Sequence, residues 1–146
     1  MSNDHSETNK KTRAEQAIAF HDRGFNCAQS VVCAFADKTG LDETTLFRIT
    51  EGLGLGMGCM EGTCGAISAA AVLSGLACST GHTERPDSKA ISYKASRRCI
   101  EAFKDTNGSV VCRELKGIDT GRPLRSCAGC IEDAVHIIEE QLFPDS

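Results

Sequence analysis

The chain has 146 residues, of which sixteen are basic, twenty are acidic and only 5% are aromatic, and it contains no tryptophan. This length predicts a single domain with a core of Ala, Ile, Leu, Val and Cys, and the net charge of −4 argues against nucleic acid as the main partner. The polar start lacks the apolar segment of a signal peptide, and no apolar run is long enough to cross a bilayer. We therefore expect a soluble cytoplasmic protein without a membrane span.

Apolar residues recur at helical spacing along most of the chain, after a polar segment of residues 1–12 that is expected to be frayed or disordered. Helices are predicted at residues 14–24, 27–39, 42–53, 64–79, 86–107 and 127–143, with a short helical turn at 110–116. No segment alternates with a period of two for long enough to form a strand. The predicted fold is all-α, a compact bundle of about six helices in which residues 13–146 form one cysteine-rich domain around the small-residue helix 64–79.

Nine cysteines are unusual for a chain in this predicted location. A reducing cytosol keeps most thiols reduced, so a permanent disulfide framework is not expected, and the odd count agrees with that. Three uses remain for the thiols: metal binding, an iron–sulfur cluster, or a disulfide that cycles.

Four of the cysteines fall in the first turn of a predicted helix: Cys27, Cys64, Cys112 and Cys127. Polar residues that can cap a helix start stand shortly before them: Asn26, Thr63, Ser109 and Ser126. The partial positive charge of a helix start favours a thiolate over a thiol, which benefits a metal ligand or a redox nucleophile. A cysteine that only fills the core gains nothing from this position. We therefore predict that these four sulfur atoms gather in one pocket.

The other five cysteines are divided by helical phase and spacing. Three are predicted to lie outside the pocket: Cys33, Cys78 and Cys99. Cys59 precedes Cys64 by a spacing also found in cluster-binding loops, and Cys130 follows Cys127 by one helical turn. Both are supplementary candidate ligands, and Cys130 is the candidate resolving thiol if Cys127 is a redox nucleophile. The last helix is predicted to turn Cys127 towards the core and Cys130 towards its flank.

The glycine-rich segment 52–58 does not match a nucleotide-binding loop, because it follows a helix and lacks the G-x-G-x-x-G spacing. Two uses are open for it: close approach of backbone N–H groups to a cluster or thiolate, or a flexible connector. The candidate cofactor-binding glycines are Gly56, Gly58, Gly62 and Gly65. Basic side chains that can offset thiolate charge lie near the later cysteines: Arg113, Lys116, Arg122 and Arg125. The four histidines do not cluster, so zinc bound through histidine is not expected.

Five motifs occur in order along residues 14–143: Phe25-Asn-Cys27-Ala-Gln-Ser-Val, Gly56-Met-Gly58, Gly62-Thr-Cys64-Gly-Ala, Cys112-Arg-Glu-Leu-Lys-Gly117, and Cys127 before an acidic helix. This order resembles the redox-active protein family called C_GCAxxG_C_C, which is defined by four cysteines. The resemblance maps them onto Cys27, Cys64, Cys112 and Cys127, the residues already selected by helix position. The family is similar to a domain of split-Soret cytochromes c, for which an iron–sulfur site has been suggested. The resemblance therefore implies a redox function with a cluster on these thiols.

The first hypothesis is a redox protein whose four helix-start cysteines bind an iron–sulfur or similar metal-thiolate cluster for electron transfer or redox sensing. The alternative is a thiol–disulfide redox enzyme or sensor in which two of the four cycle. A structural zinc site is a second alternative. The sequence does not identify the redox partner protein or decide whether the chain acts as an oxidoreductase. It also leaves the oligomeric state open, with a homodimer as one option.

Overall fold

The computed structural model describes residues 10–145. Seven α-helices of five or more residues are present in this range: α1 (Arg13–Asp22), α2 (Cys27–Ala34), α3 (Glu43–Thr50), α4 (Gly65–Cys78), α5 (Lys89–Asn107), α6 (Cys112–Lys116) and α7 (Cys127–Leu142). Two 3₁₀ turns (Ala36–Lys38 and Glu51–Leu53) and an irregular helical turn (Gly54–Met57) complete the helical segments of the described residues. The described residues form no strand beyond one isolated antiparallel bridge between Thr63 and Val111, so the predicted all-α fold is confirmed. Most of the segment predicted to be frayed, residues 1–9, lies outside the described range. None of the helices within 10–145 combines the length and apolar character needed to cross a bilayer.

Helix α4 lies at the centre of the bundle, as its small apolar residues predict. It packs against α2, α5 and α7, and its inward-facing side chains are fully buried: Ala66, Ile67, Ala69, Ala70 and Leu73. Alanine side chains let neighbouring helices approach closely, so three helices can pack around one axis without leaving voids. This packing surrounds the beginning of α4 with the beginnings of other helices.

Side-chain caps start α2 and α7 where the sequence predicts them. The Asn26 side chain accepts a hydrogen bond from the Gln29 N–H at 2.9 Å, and the Gln29 side chain accepts one from the Asn26 N–H at 2.9 Å. The Ser126 hydroxyl accepts a backbone N–H from the first turn of α7 at 3.0 Å. These caps make Cys27 and Cys127 the first residues of their helices.

The two other predicted caps are wrong. Cys64 itself occupies the N-cap position of α4, because the backbone of Thr63 pairs with Val111 in the isolated bridge. The Ser109 hydroxyl accepts a hydrogen bond from the Val111 N–H at 3.0 Å and donates to Glu114 at 2.5 Å, and Val111 is the N-cap residue of α6. Backbone pairing between two loops therefore determines where these helices begin.

Two helix boundaries also differ from the prediction for local reasons. Helix α2 ends at Ala34 rather than near residue 39, because the Arg13 guanidinium donates to the Ala34 carbonyl at 2.6 Å and a 3₁₀ turn follows. Helix α5 begins later than predicted, because the Ser88 hydroxyl accepts the Thr80 N–H at 3.1 Å and holds the preceding residues in a loop. Ile91, in the first turn of α5, is 61% exposed although it is apolar.

Candidate functional site

A cavity of about 190 Å³ lies at the end of the bundle where several helices begin. Its wall contains five cysteines: Cys27, Cys64, Cys112, Cys127 and Cys130. The predicted gathering of the four helix-start cysteines is confirmed, and Cys130 joins them. The cysteines predicted to lie elsewhere do not line this cavity: Cys33, Cys78 and Cys99. Cys59 is exposed and lies outside the wall.

The four predicted cysteines occupy helix starts, Cys27 at α2, Cys64 at α4, Cys112 at α6 and Cys127 at α7. Backbone hydrogen bonds tie two of these starts together. The Cys64 N–H donates to the Val110 carbonyl at 2.6 Å, and the Cys112 N–H donates to the Gly62 carbonyl at 3.0 Å. These bonds flank the bridge between the two loops, so the loops fix the relative positions of α4 and α6.

The glycine-rich segment packs against these helix starts. Gly56 adopts a left-handed backbone with a φ of 55°, and a Cβ there would overlap the Cys112 side chain and lie 2.9 Å from the Gly62 carbonyl oxygen. A Cβ at Gly62 or Gly65 would also press on neighbouring atoms, whereas Gly58 has open space around it. Close backbone approach is therefore the use favoured for this segment at three of the four candidate glycines. Their contact with a cofactor stays a prediction.

Three residues other than glycine also adopt left-handed backbone in this segment: Leu55, Met57 and Met60, with φ of 54°, 66° and 66°. Each such residue costs about 1–2 kcal/mol and persists only where the surrounding structure requires it. Leu55 lines the cavity and is 49% exposed. One of the three strained residues, Leu55, therefore lies in the cavity wall.

Cys27 and Cys127, which we call the outer pair, are both partly exposed. The Cys27 and Cys127 side chains line the same cavity and interact, and the Lys116 Nζ donates to the Cys127 sulfur at 3.5 Å. These interactions outweigh burial and lower the pKa of Cys127 to about 5, whereas an unperturbed cysteine has a pKa of about 8.5. The same pairing, together with burial, raises the pKa of Cys27. At neutral pH Cys127 is therefore a thiolate and Cys27 keeps its proton.

Cys64 and Cys130, which we call the inner pair, expose only 7% and 3% of their surface. Interaction with the Cys130 thiol is the largest cause that lowers the pKa of Cys64, and the backbone N–H groups of Ala66 and Ile67 in the first turn of α4 also lower it. Together they bring the pKa of Cys64 to about 7 despite its burial. The pairing and burial raise the pKa of Cys130. Only the smaller part of the effect at Cys64, which comes from the two N–H groups, is the helix-start effect on which its selection from the sequence rests.

Cys112 differs from both pairs. It is 5% exposed, and burial raises the pKa of its thiol. It lies against the glycine-rich segment, because a Cβ on Gly56 would be 3.3 Å from the Cys112 sulfur, and it lines the cavity together with the two pairs. The exposed Cys59 sulfur lies 3.8 Å from the Gly56 carbonyl oxygen. Cys112 therefore forms a protonated part of the wall at neutral pH.

Among the basic residues near these cysteines, Lys116 is the one that donates to a wall thiol. The Arg113 guanidinium is paired with Asp119 at 3.0 Å, and Arg125, although it lines the cavity, is paired with Asp133 at 3.0 Å. The two ion pairs largely neutralise the arginines. The positive charge that acts on Cys127 therefore comes mainly from Lys116, with a smaller contribution from other neighbours.

Two features of the wall were not recognised from the sequence. His21 lines the cavity, and its Nδ1 lies 2.9 Å from the Phe25 carbonyl oxygen. No motif marks this residue, because only the packing of α1 against α2 brings it to the wall. The second is the order of burial on α7, which is the reverse of the prediction: Cys130 is buried and Cys127 is partly exposed. Helix α7 begins at the open side of the cavity and runs inward.

The wall thiols match a metal-thiolate cluster in their chemistry, because soft sulfur ligands select iron–sulfur clusters and zinc. Their arrangement does not match one. Among residues 10–145, no group of three or more histidine, cysteine, aspartate or glutamate side chains is placed so that it could hold a metal ion. The thiols are arranged as two pairs and a fifth cysteine. The iron–sulfur and zinc hypotheses stay predictions, for the four helix-start cysteines as for Cys59 and Cys130.

A family model described as "Putative redox-active protein (C_GCAxxG_C_C)" matches residues 25–141. Comparisons with curated proteins and with solved structures gave no match. The matched residues make up most of the chain and include all five wall cysteines. The chain therefore belongs to the C_GCAxxG_C_C family of redox-active proteins.

Proposed function

We propose that the protein is a thiol–disulfide redox protein in which Cys127 and Cys27 cycle between a dithiol and a disulfide. The observation that supports this most directly is the outer pair itself. It combines a partly exposed thiolate, a thiol that interacts with it, and a lysine ammonium 3.5 Å away. A nucleophilic thiolate beside a second thiol is the arrangement that thiol–disulfide exchange requires. Pairing of this kind favours the dithiol hypothesis over the cluster.

The reaction begins with attack by the Cys127 thiolate on a substrate disulfide, R–S–S–R′. The Cys127–S–R bond forms, the S–S bond of the substrate breaks, and R′S⁻ leaves with the electron pair. Cys27 then gives up its proton and attacks the Cys127 sulfur, which forms the Cys27–Cys127 disulfide and releases RS⁻. Two electrons pass from the outer pair to the substrate, which leaves as two thiolates. Cys27 supplies one of the two protons that convert them to thiols, and water supplies the other.

Lys116 has a positioning role in this sequence. Its ammonium group stabilises the negative charge on the Cys127 sulfur before attack, and the Cys127 thiolate raises the pKa of Lys116 although burial opposes this. The lysine therefore stays protonated throughout the reaction. It also stabilises the thiolate that reappears on Cys127 when the disulfide is reduced again.

The proposal is tested by treating the fully reduced protein with a small disulfide in the absence of oxygen and mapping the new bond by peptide mass spectrometry. We expect a Cys27–Cys127 disulfide, and we expect Cys127→Ser to abolish reduction of the substrate. Cys33→Ser is the matched control, because Cys33 lies outside the cavity and should leave the rate unchanged. A Cys127→Ser variant that reduces the disulfide at the wild-type rate would refute the proposal.

The metal-thiolate cluster is the second candidate function, because five thiols in one wall are a donor set that such clusters use. Metal analysis and visible absorbance of protein purified without oxygen distinguish the candidates. A coloured, iron-containing protein that loses both properties in Cys127→Ser supports the cluster. A colourless protein with stoichiometric zinc supports the structural zinc site, and a colourless metal-free protein supports the dithiol.

A further inference from the structure

We propose that Cys64 and Cys130 are a second, internal redox pair that exchanges its electrons through the outer pair, so that the protein delivers four electrons rather than two. This inference rests on the proposed function of Cys27 and Cys127. It concerns a pairing that the sequence does not indicate, because the three-residue spacing on α7 suggests Cys130 as the partner of Cys127.

The first support is the contact between the two inner thiols. Cys64 lies at the N-cap of α4 and Cys130 in the first turn of α7, and these two helices pack against each other. Both residues line the same small cavity of about 190 Å³. Their side chains also interact, because this pairing lowers the pKa of Cys64 and raises that of Cys130. Two thiols that meet in one cavity from adjacent helix starts are candidates for a disulfide.

The second support is the difference in access between the pairs. Cys64 and Cys130 are 7% and 3% exposed, so a substrate disulfide cannot approach them along the line that exchange requires. Cys127 is partly exposed. It lies one turn before Cys130 on α7, about 4.5 Å along the helix axis, and its charge acts on both inner thiols. The outer pair is therefore the route by which the inner pair meets a substrate.

The exchange balances without any further reagent. After the outer pair has reduced one substrate disulfide, the Cys64 thiolate attacks the Cys127 sulfur of the Cys27–Cys127 disulfide. The Cys64–Cys127 bond forms, and Cys27 leaves as a thiolate that takes up the proton released by Cys130. The Cys130 thiolate then attacks the Cys64 sulfur, which forms the Cys64–Cys130 disulfide and releases the Cys127 thiolate. The outer pair is again a dithiol and can reduce a second substrate disulfide.

The experiment is an oxidation count on the full chain. Reduced protein is treated without oxygen with excess 2-hydroxyethyl disulfide, and intact mass separates internal disulfides, which lose two hydrogens each, from reagent adducts on exposed thiols such as Cys59. We expect two internal disulfides in the wild type, mapped to Cys27–Cys127 and Cys64–Cys130. We expect one in Cys130→Ser and one in Cys64→Ser. The Cys99→Ala control should form two, because Cys99 does not line the cavity.

The route is tested with Cys127→Ser. In this variant we expect the Cys64–Cys130 disulfide to form at least about tenfold more slowly than in the wild type, because the inner thiols have lost their exchange partner. Far-UV circular dichroism checks that each variant is folded, and the two separate inner-pair variants guard against a folding defect in one of them.

The outcomes separate this inference from the proposed function. A wild-type protein that forms only the Cys27–Cys127 disulfide would overturn the internal pair and leave the proposed function intact. A wild type that forms neither disulfide would overturn both. Formation of Cys64–Cys130 at the wild-type rate in Cys127→Ser would show that the inner pair reacts directly, and would overturn exchange through the outer pair.

Discussion

Cys99 lies in the middle of α5, fully buried, and burial raises the pKa of its thiol to about 11. Cys127 lies at the first residue of α7, where the Cys27 thiol and the Lys116 ammonium lower the pKa to about 5. The groups that lower the pKa of Cys127 come from neighbouring helices, the Cys27 thiol from the start of α2 and the Lys116 ammonium from α6, whereas burial is the largest influence on Cys99. The comparison shows that one residue type keeps its proton in one region and is a thiolate at neutral pH in the other.

The exposed fraction of a cysteine does not by itself explain the difference in thiol pKa between the two regions. Cys33 and Cys64 are almost equally buried, at 4% and 7% of their surface. Burial raises the pKa of Cys33 to about 11, yet the pKa of Cys64 is lowered to about 7 by the Cys130 thiol and by the first N–H groups of α4. The local donors, rather than the depth below the surface, separate Cys64 and Cys127 from the interior cysteines.

The largest effect that this comparison predicts is selective alkylation. At pH 6, iodoacetamide should modify Cys127 on the order of 100-fold faster than Cys33 or Cys99, because the much larger thiolate fraction outweighs the lower nucleophilicity of a low-pKa thiol. Quantitative peptide mapping of partially modified protein measures the ratio. If Cys99 in the folded protein were alkylated at a rate comparable to that of Cys127, the thiols of the two regions would not differ in reactivity as predicted.

A second prediction tests whether the cavity wall depends on the close approach of the glycine-rich segment. Gly56→Ala should lower the free energy of unfolding by about 2 kcal/mol, because the backbone is left-handed and the new methyl group would overlap Cys112. Gly58→Ala is the matched control, since its backbone is also left-handed but the space beside it is open. Gly58→Ala should lower the free energy of unfolding by only about 1 kcal/mol. Urea unfolding measures both, and equal losses would contradict the close-approach interpretation.

A third prediction concerns the interior side of the comparison. Cys99→Ala should lower the free energy of unfolding by about 1 kcal/mol, because it removes a sulfur atom from a packed site. It should leave the alkylation rate of Cys127 unchanged, because Cys99 does not line the cavity. Thermal or urea unfolding and the alkylation assay measure the two effects. A slower Cys127 reaction in Cys99→Ala would show that the two regions are coupled.

Much of the fold could be predicted because its signals are local. The small residues of α4 predict a central helix, and Asn26 and Ser126 predict the starts of α2 and α7, since caps and apolar periodicity act within a few residues. The predicted caps at Thr63 and Ser109 are wrong because a contact between distant parts of the chain determines where these helices begin. The bridge between Thr63 and Val111 joins segments far apart in sequence, and no local pattern records such a contact.

The candidate site likewise has features that could be predicted from local sequence and features that could not. The gathering of four cysteines could be predicted because each lies at a helix start, although neighbouring residues define that start only for Cys27 and Cys127. The pairing of the thiols could not be predicted from the sequence. The interaction of Cys64 with Cys130 depends on how α4 packs against α7. Helical phase also failed for Cys127 and Cys130. A residue in the first turn can face the open side of a cavity even when its stripe continues into the core.

The smallest predicted effect isolates the contribution of charge to the outer pair. In Lys116→Gln the pKa of Cys127 should rise, because the ammonium group 3.5 Å from its sulfur is lost while the Cys27 thiol still interacts with it. A group whose pKa rises is less ionised at a fixed pH near the original pKa of about 5, so alkylation of Cys127 at pH 5 should slow about threefold. At pH 8 both proteins hold Cys127 as thiolate and the rates should converge.

Arg113→Gln is the matched control, because it removes a positive charge from the same helix that is already paired with Asp119. A pH profile of the alkylation rate that shifts equally in both variants would assign the low pKa to the overall charge of α6 rather than to the contact between Lys116 and Cys127.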